Sequence, residues 1–325
     1  MRDSLKMKKI LFVVVVLAVL SVYQLRKWSV AEGPLAQAGN VVVAKGATLT
    51  SVAQTLNEAN VIDKPWLFKI LSRFEGLDKK LRAGEYRFDA GVSIRQVMDK
   101  IARGEVFYRR MTFAEGLTTG QMLYQIATNQ GLSGEVSFDV AEGSMLPETY
   151  TFELGTHQNS IVLEAQKAMN KVLDEAWNGR DTGLPYKDKM QLLTMASIIE
   201  KETGVADERP LVASVFVNRL RKGMKLQTDP TVIYALTEGQ MELGRSLKKK
   251  DLAIDSPYNT YKYYGLPPAP ICNPGRDAIM AAAHPVQSDY LYFVATGDGG
   301  HKFSKSLNEH NRNVKEWLKK ILSRN

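Results

Sequence analysis

The first feature of the hydrophobic pattern is an apolar run near the N-terminus, Ile10–Tyr23. Arg2, Lys6, Lys8 and Lys9 precede this run, and Arg26 and Lys27 follow it. An apolar run between basic clusters is typical of a membrane-targeting segment. It is shorter than the ~20 residues that a full span prefers, so a cleaved signal peptide is the alternative, with a small-residue cleavage motif at Ala36–Ala38.

We favour a retained anchor over residues 10–28. Trp28 suits the membrane interface, and the basic residues Arg26 and Lys27 are unusual shortly before a cleavage site. The excess of positive charge before the run predicts that residues 1–9 lie in the cytoplasm. Everything after the anchor is then expected in the periplasm, outside the inner (cytoplasmic) membrane.

Alternating and helical patterns then predict a small α+β module over residues 40–105. Its first strand leads through a glycine turn into a helix with Thr50 or Ser51 as its cap. A second helix begins at Pro65, and a further strand and helix follow, with Gly104 as the stop. "KGATLTSVAQTL" and "LRAGEYRF" make this module similar to the LysM family of glycan-binding modules, although a plain structural module is the alternative.

Helical periodicity dominates the rest of the chain. Residues 106–150 are interpreted as a connecting subdomain, and residues 151–325 as a mainly helical domain with long loops. Its predicted helices are Ser160–Trp177, one that is ended by Gly204, and one that is capped by Asp207 and ended by Gly223. The overall prediction is an α+β protein whose ordered loops, rich in Gly, Pro, Asn and Tyr, form a cleft above a helical base.

Composition and charge narrow the class of protein only slightly. The chain has 325 residues, of which 44% are hydrophobic and 24% charged, as expected of a folded protein. The net charge of +8 comes from scattered basic residues, so we discount a nucleic-acid partner. The single cysteine, Cys272, excludes an internal disulfide and is interpreted as a packed core residue.

The four histidines are His157, His284, His301 and His310. They form neither an i, i+4 pair on a helix nor a cluster with cysteine, so we expect no metal and no cofactor. His301 and His310 lie in the loop-rich region and are candidates for the edge of the cleft, with a hydrogen-bonded structural role as the alternative.

Two glutamates stand out in "MASIIEKETG". On a helix, Glu200 and Glu202 fall on opposite flanks of an apolar face. Glu202 follows Ile198 and Ile199 by four and three positions, and a carboxyl beside isoleucines loses hydration, which raises its pKa and suits a general acid. The alternative is that both glutamates are solvated residues at a helix end.

Several long sequence motifs, which occur in a fixed order along the chain, decide between these alternatives. "MASIIEKETGVADERPLVASVFVNRLRKGMKLQTDPTVIY", "YNTY", "GLPPAPICNPG" and "YLYFVATGDGGHKF" resemble the YceG-like endolytic murein transglycosylases, and the likeness covers nearly the whole chain. The resemblance implies that the second glutamate of "EKE", Glu202, is the catalytic residue, and that Glu200 is a neighbour that tunes or positions it.

The resemblance also implies a reaction, a substrate and partners. One carboxyl would cleave peptidoglycan glycan strands internally, and the sugar's own 6-hydroxyl would close a 1,6-anhydro ring. Peptidoglycan synthases are further candidate partners. Asp229 is a candidate second carboxylate that stabilises positive charge in the transition state, with a turn at "TDP" as the alternative. The other supporting residues are candidates on polar or aromatic character alone, with loop structure as their alternative: Gln227, Thr228, Tyr258, Asn259 and Tyr261.

Two other functions stay open at this point. One is a catalytically silent scaffold that binds peptidoglycan and organises synthases. The other is an ordinary glycosidase, which uses two carboxylates and water and releases reducing ends.

Overall fold

The computed structural model describes residues 2–322 and contains both helices and strands. The chain forms two compact units. Unit 1 consists of the residues up to Arg109 together with Thr151–Gly155, and unit 2 consists of Arg110–Tyr150 and the residues from Thr156 onward. The sequence suggested residues 106–150 as a connecting subdomain, and the greater part of this segment, Arg110–Tyr150, groups with unit 2.

Unit 1 holds the N-terminal helix and the small α+β module. Its elements are α1 (Arg2–Val30), β1 (Gly39–Val43), α2 (Leu49–Glu58), α3 (Pro65–Phe74), β2 (Gly84–Phe88) and α4 (Ile94–Arg103). Strands β1 and β2 pair antiparallel, with Gly39 opposite Phe88 and Val43 opposite Gly84. The helices cover one face of this pair, and the core includes the fully buried side chains of Leu56, Phe68 and Tyr86.

The helix ends in unit 1 follow local chemistry, with one correction. Pro65 begins α3 and Gly104 ends α4 in the left-handed conformation with φ of 65°, as predicted. The predicted cap of α2 at Thr50 or Ser51 is wrong. Thr48 is the cap, because its extended backbone lets its hydroxyl accept the N–H of Ser51 at 3.2 Å.

Helix α1 is longer than the predicted anchor of residues 10–28. Its stretch Lys6–Val30 is 25 residues long and contains an 18-residue window with a mean hydropathy of 2.0, so it is long and apolar enough to cross a membrane. The last turns of α1 pack on the module. Leu25 contacts the module core, and the ring of Trp28 meets that of Trp66 edge to face at 5.9 Å.

Unit 2 is mainly helical. Its elements in chain order, of which β3 and β5 extend into unit 1, are β3 (Tyr108–Thr112), α5 (Thr119–Thr128), β4 (Leu132–Ser133), β5 (Thr149–Glu153), β6 (Thr156–His157), α6 (Gln158–Gly179), α7 (Lys189–Glu202), α8 (Arg209–Arg221), α9 (Asp229–Thr237), α10 (Arg276–Ala283), β7 (Tyr292–Ala295), β8 (His301–Ser304) and α11 (Leu307–Leu322). Strand β3 pairs with β5, β4 runs parallel to β6, and β7 and β8 form an antiparallel pair.

Helix α7 lies at the centre of unit 2. It packs against α6, α8, α9 and α10, and every residue from Leu192 to Ile199 is buried. The single apolar face predicted for this helix is therefore too narrow. Buried Ser197 is satisfied, because its hydroxyl donates to the carbonyl of Thr194 at 2.7 Å and accepts the N–H of Ile271 at 3.0 Å.

Three predicted helix limits in unit 2 need correction. Helix α6 is Gln158–Gly179, longer than Ser160–Trp177. Helix α7 ends at Glu202 because Thr203, and not Gly204, turns to an extended backbone with φ of −143°.

The start of α8 also differs from the prediction. Asp207 does not cap α8, because it lies in a short 3₁₀ turn, Ala206–Glu208, and the helix starts at Arg209. The stop at Gly223, with φ of 62°, is confirmed. Cys272 is fully buried, as the sequence predicted.

Candidate active site

Glu202 is the last residue of α7 and lines a cavity of about 380 Å³ in unit 2. The buried turn of Ile198 and Ile199 precedes it, and the extended Thr203 leads the chain away. The cavity is lined by Glu202, Phe216, Arg219, Leu226, Gln227, Asp229, Tyr261, Tyr292, Phe293, Leu307 and His310. A carboxyl thus stands in a recess built from apolar, aromatic and polar side chains.

Burial raises the pKa of Glu202 from 4.5 to about 7. The hydroxyl of Thr228 donates a hydrogen bond to Oε1 of Glu202 and lowers the pKa, while the negative charge of Asp229 raises it. The charges of His301 and Arg219 lower it by smaller amounts. Glu202 therefore holds a proton near neutral pH and can also release one there, as a residue that acts as both acid and base requires.

The segment before α9 brings three predicted residues to Glu202. Gln227 has a left-handed backbone with φ of 49°, and its N–H donates to the carbonyl of Thr260 at 3.2 Å. Thr228 donates its own N–H to the hydroxyl of Thr260 at 3.1 Å. Asp229 is the first residue of α9, so the "TDP" motif forms the start of a helix and not the isolated turn that was the alternative prediction.

Tyr261 and Asp229 form a pair at the cavity wall. The hydroxyl of Tyr261 donates to Oδ1 of Asp229 at 2.6 Å, and burial together with this bond raises the pKa of Tyr261. Tyr261 therefore stays protonated and acts as a hydrogen-bond donor to Asp229. Asp229 is the second carboxyl group in the cavity lining, beside Glu202.

Two residues that were predicted as substrate contacts, Tyr258 and Asn259, lie outside the cavity lining among the described residues. Tyr258 packs on the ring of Tyr234 at 4.8 Å. Asn259 is fully buried, and its amide donates to the carbonyls of Leu252 and Ile254 at 3.0 and 2.8 Å. The side-chain oxygen of Asn259 accepts the N–H of Tyr261 at 3.0 Å, so Asn259 holds the loop that carries Tyr261.

Glu200 belongs to a different cluster. Its side chain is only 7% exposed, and its Oε2 accepts the N–H of Gly275, the residue before α10, at 2.9 Å. Nη2 of Arg209 lies 4.0 Å from Glu200 and 3.6 Å from Glu115. Burial raises the pKa of Glu200, and the Gly275 hydrogen bond opposes this rise. Neither glutamate is a solvated helix-end residue, and the contacts of Glu200 hold α10 against α7.

Arg219 lies in the wall of the cavity and was not among the residues predicted from the sequence. Its Nε donates to the carbonyl of Leu291 at 2.7 Å and its Nη1 to that of Leu226 at 2.6 Å. Its guanidinium also lies 5.2 Å from the ring centre of Tyr292. A basic residue near a helix end is usually solvated, so the pattern gave no signal of this role.

The histidines separate into one cavity residue and three others. His310 lines the cavity and stacks on Tyr292 at 5.3 Å, and burial lowers the pKa of its imidazole. Nδ1 of His301 lies 2.7 Å from Oε2 of Glu208. His284 pairs with Asp181, and His157 caps α6. Among the described residues, no group of three or more histidine, cysteine or acidic side chains is placed to hold a metal ion.

A mainly helical unit with a buried carboxyl of raised pKa in a recess defines a protein that is equipped for general acid–base catalysis. The chain belongs to the YceG-like family, whose model matches residues 41–316.

Two curated relatives carry the name endolytic murein transglycosylase. The protein of Bacillus subtilis is 32% identical over 319 residues, which cover 86% of this chain and 84% of that protein. The protein of Streptococcus pneumoniae strain D39 is 28% identical, and the match covers 87% of this chain and 59% of that protein. A YceG-like protein of Listeria monocytogenes with a 2.6 Å crystal structure is 32% identical with a TM-score of 0.56, covering 85% of this chain and 98% of that one.

Proposed function

We propose that this protein is an endolytic murein transglycosylase, a lyase that cleaves the MurNAc–GlcNAc bond within peptidoglycan glycan strands. The observation that carries the proposal is Glu202, a carboxyl whose pKa is raised by burial to about 7 in a cavity of about 380 Å³. The shared name of the two relatives supports the same activity.

In the proposed reaction Glu202 acts twice. Its protonated carboxyl first gives its proton to the glycosidic oxygen, and the bond from that oxygen to C1 of MurNAc breaks. The resulting carboxylate then removes the proton from the 6-hydroxyl of the same MurNAc, whose oxygen bonds to C1 and closes a 1,6-anhydro ring. The proton that Glu202 lost is restored, and no water is consumed.

The surroundings of Glu202 fit this sequence of steps. The Thr228 hydroxyl stabilises the carboxylate that forms after the first step. We assign to Asp229 the stabilisation of positive charge that develops at C1, and its position in the lining of the same cavity supports this role. A tethered 6-hydroxyl needs no second carboxyl to activate it, because proximity replaces that help.

The product distinguishes this proposal from its alternatives. Purified glycan strands treated with the protein should yield ends that are one water lighter than the ends formed by hydrolysis. Reducing ends of full mass would indicate an ordinary glycosidase, and unchanged strands would favour the peptidoglycan-binding scaffold.

We also propose that α1 is a retained single-pass anchor in the inner membrane, with residues 1–9 in the cytoplasm and the catalytic unit in the periplasm. The greater number of basic residues before the apolar run supports this orientation, and the packing of Leu25 and Trp28 on the module supports retention. A reporter fused after Asn325 should be active in the periplasm and the mature protein should keep Met1, whereas a mature N-terminus near Gly39 would contradict the anchor.

The module of residues 40–105 is proposed to be LysM-like. The order strand, helix, helix, strand with paired outer strands supports this description. At the membrane, cleavage of nascent strands would end their elongation, and peptidoglycan synthases would be the natural partners of that activity.

A further inference from the structure

Helix α3 leaves an apolar stripe uncovered. Trp66, Ile70 and Phe74 follow one another at intervals of four, so they lie on one side of the helix. They are 44%, 51% and 91% exposed. Phe68, on the opposite side of α3, and Leu67, at the edge of the stripe, are fully buried in the module. The stripe is therefore not required by the core of the module, and a phenylalanine as exposed as Phe74 needs another explanation.

The stripe starts where α1 leaves its apolar segment. Trp66 contacts Trp28 edge to face, with ring centres 5.9 Å apart. Trp28 lies two residues before the end of the apolar helix Lys6–Val30. Tryptophan prefers the boundary between lipid and water. If α1 crosses the membrane, Trp66 lies at the depth of that boundary.

A basic flank borders the stripe. At 100° per residue, Arg73 lies about 60° and Lys69 about 100° from Ile70, both on the side away from buried Leu67. Glu75 is already paired with Arg95. Among the described residues no carboxylate lies in ion-pair contact with Lys69 or Arg73, so their charges remain uncompensated. An apolar stripe beside free basic residues is the pattern of a helix that lies in a membrane interface.

We propose that this face of α3 lies on the membrane that α1 spans, with a bilayer of anionic phospholipid as its ligand. Ile70 and Phe74 enter the boundary of the acyl chains, and Lys69 and Arg73 contact lipid phosphates. The inference rests on the proposed anchor and not on the proposed reaction. A glycan strand fits the face less well, because a sugar needs hydrogen-bond partners beside an aromatic ring, and Ile70, which lies between Trp66 and Phe74, offers none.

Attachment to the membrane through both α1 and α3 restricts the module more than attachment through α1 alone. A single spanning helix lets the module rotate about the helix axis, whereas a second contact through α3 fixes one face of the module against the lipid. Placing α3 on the lipid requires little conformational free energy, because Phe74 is already exposed in the folded module. Unit 1 would thus be held at the membrane in one orientation.

The test uses the full chain in nanodiscs of phosphatidylglycerol and phosphatidylcholine. Cys272 is fully buried and unreactive toward labels, so a spin label can be placed by Ile70→Cys, which keeps Trp66 and Phe74. Glu58→Cys, at an exposed position of α2, is the water-facing control, and Val15→Cys, within α1, is the lipid reference. The measurement compares the accessibility of each label to oxygen, which dissolves in lipid, and to a water-soluble nickel complex.

We expect the label at position 70 to shift toward the lipid reference and the label at position 58 to remain in water. Arg73→Glu combined with Phe74→Ser should return the label at position 70 to water, since both contributions to lipid binding are then lost. A lipid signal that survives this double change would overturn the proposed stripe.

The remaining outcomes separate this inference from the anchor. A lipid signal at position 15 with a water signal at position 70 overturns the inference alone. A water signal at position 15 overturns the anchor and the inference with it. Protection of position 70 only after glycan strands are added would assign the face to sugar instead of lipid.

Discussion

Replacing Glu202 with glutamine removes a proton donor while keeping the size of the side chain and its hydrogen bond from Thr228. We expect the yield of anhydro product to fall by ~10² or more, the range that general acid–base catalysis contributes. Glu200→Gln is the matched control, because Glu200 is also buried on α7 but contacts Gly275 and Arg209 instead of the cavity. That variant should keep measurable activity.

Glu202→Gln should also change the free energy of unfolding in a way that depends on pH. The native state holds the Glu202 proton up to about pH 7, whereas the unfolded chain releases it near pH 4.5. Native Glu202 therefore costs the protein stability progressively as the pH rises from 4.5 to 7. At about 1.4 kcal/mol for each tenfold change in proton affinity, the full difference is at most about 3 kcal/mol.

Glutamine carries no charge at any of these pH values. Glu202→Gln should therefore match the unsubstituted protein in free energy of unfolding below about pH 4.5 and exceed it by up to about 3 kcal/mol at pH 8. The assay is urea unfolding in detergent micelles at several pH values, followed by tryptophan fluorescence in a Trp28→Phe, Trp66→Phe background, in which the remaining tryptophans are Trp177 and Trp317 of unit 2.

Two results would refute this reasoning. Equal stability differences at pH 4.5 and pH 8 would show that Glu202 is not desolvated in the native state. Loss of the anhydro product in Glu200→Gln, with normal activity in Glu202→Gln, would make Glu200 the catalyst.

Three further substitutions test the site and the fold. Activity should fall as the pH rises through about 7, where Glu202 loses its proton. Thr228→Val removes a hydrogen bond that lowers the pKa of Glu202, so the descending limb of the pH–rate profile should move to higher pH. Asp229→Asn removes a negative charge that raises the same pKa, so the limb should move to lower pH, and equal shifts in one direction would contradict the assigned charges. Ser93→Ala breaks the capping box with Gln96 at the start of α4 and should cost about 1 kcal/mol in urea unfolding without changing the activity per folded molecule.

Local signals determined much of this protein. The apolar run and its flanking charges specify α1, because hydropathy depends only on neighbouring residues. Pro65, Gly104 and Gly223 marked helix ends correctly, since each acts through its own backbone. The apolar turn before Glu202 indicated a desolvated carboxyl, and the structure shows a pKa raised by burial.

Tertiary structure decided which side chains meet. Helical periodicity placed Glu200 and Glu202 on opposite flanks of α7, but it could not identify their partners. Thr228 donates to Glu202 from 26 positions away in sequence, and Gly275 donates to Glu200 from 75 positions away. Asn259 was predicted as a sugar contact from its polar side chain, but its hydrogen bonds stabilise the loop that carries Tyr261. Arg219 had the pattern of a solvated helix end, yet the carbonyls of Leu226 and Leu291 hold it in the cavity wall. Residue type sets what a side chain can do, and the packing of α7, α8 and α9 with the loops around them decides where it does so.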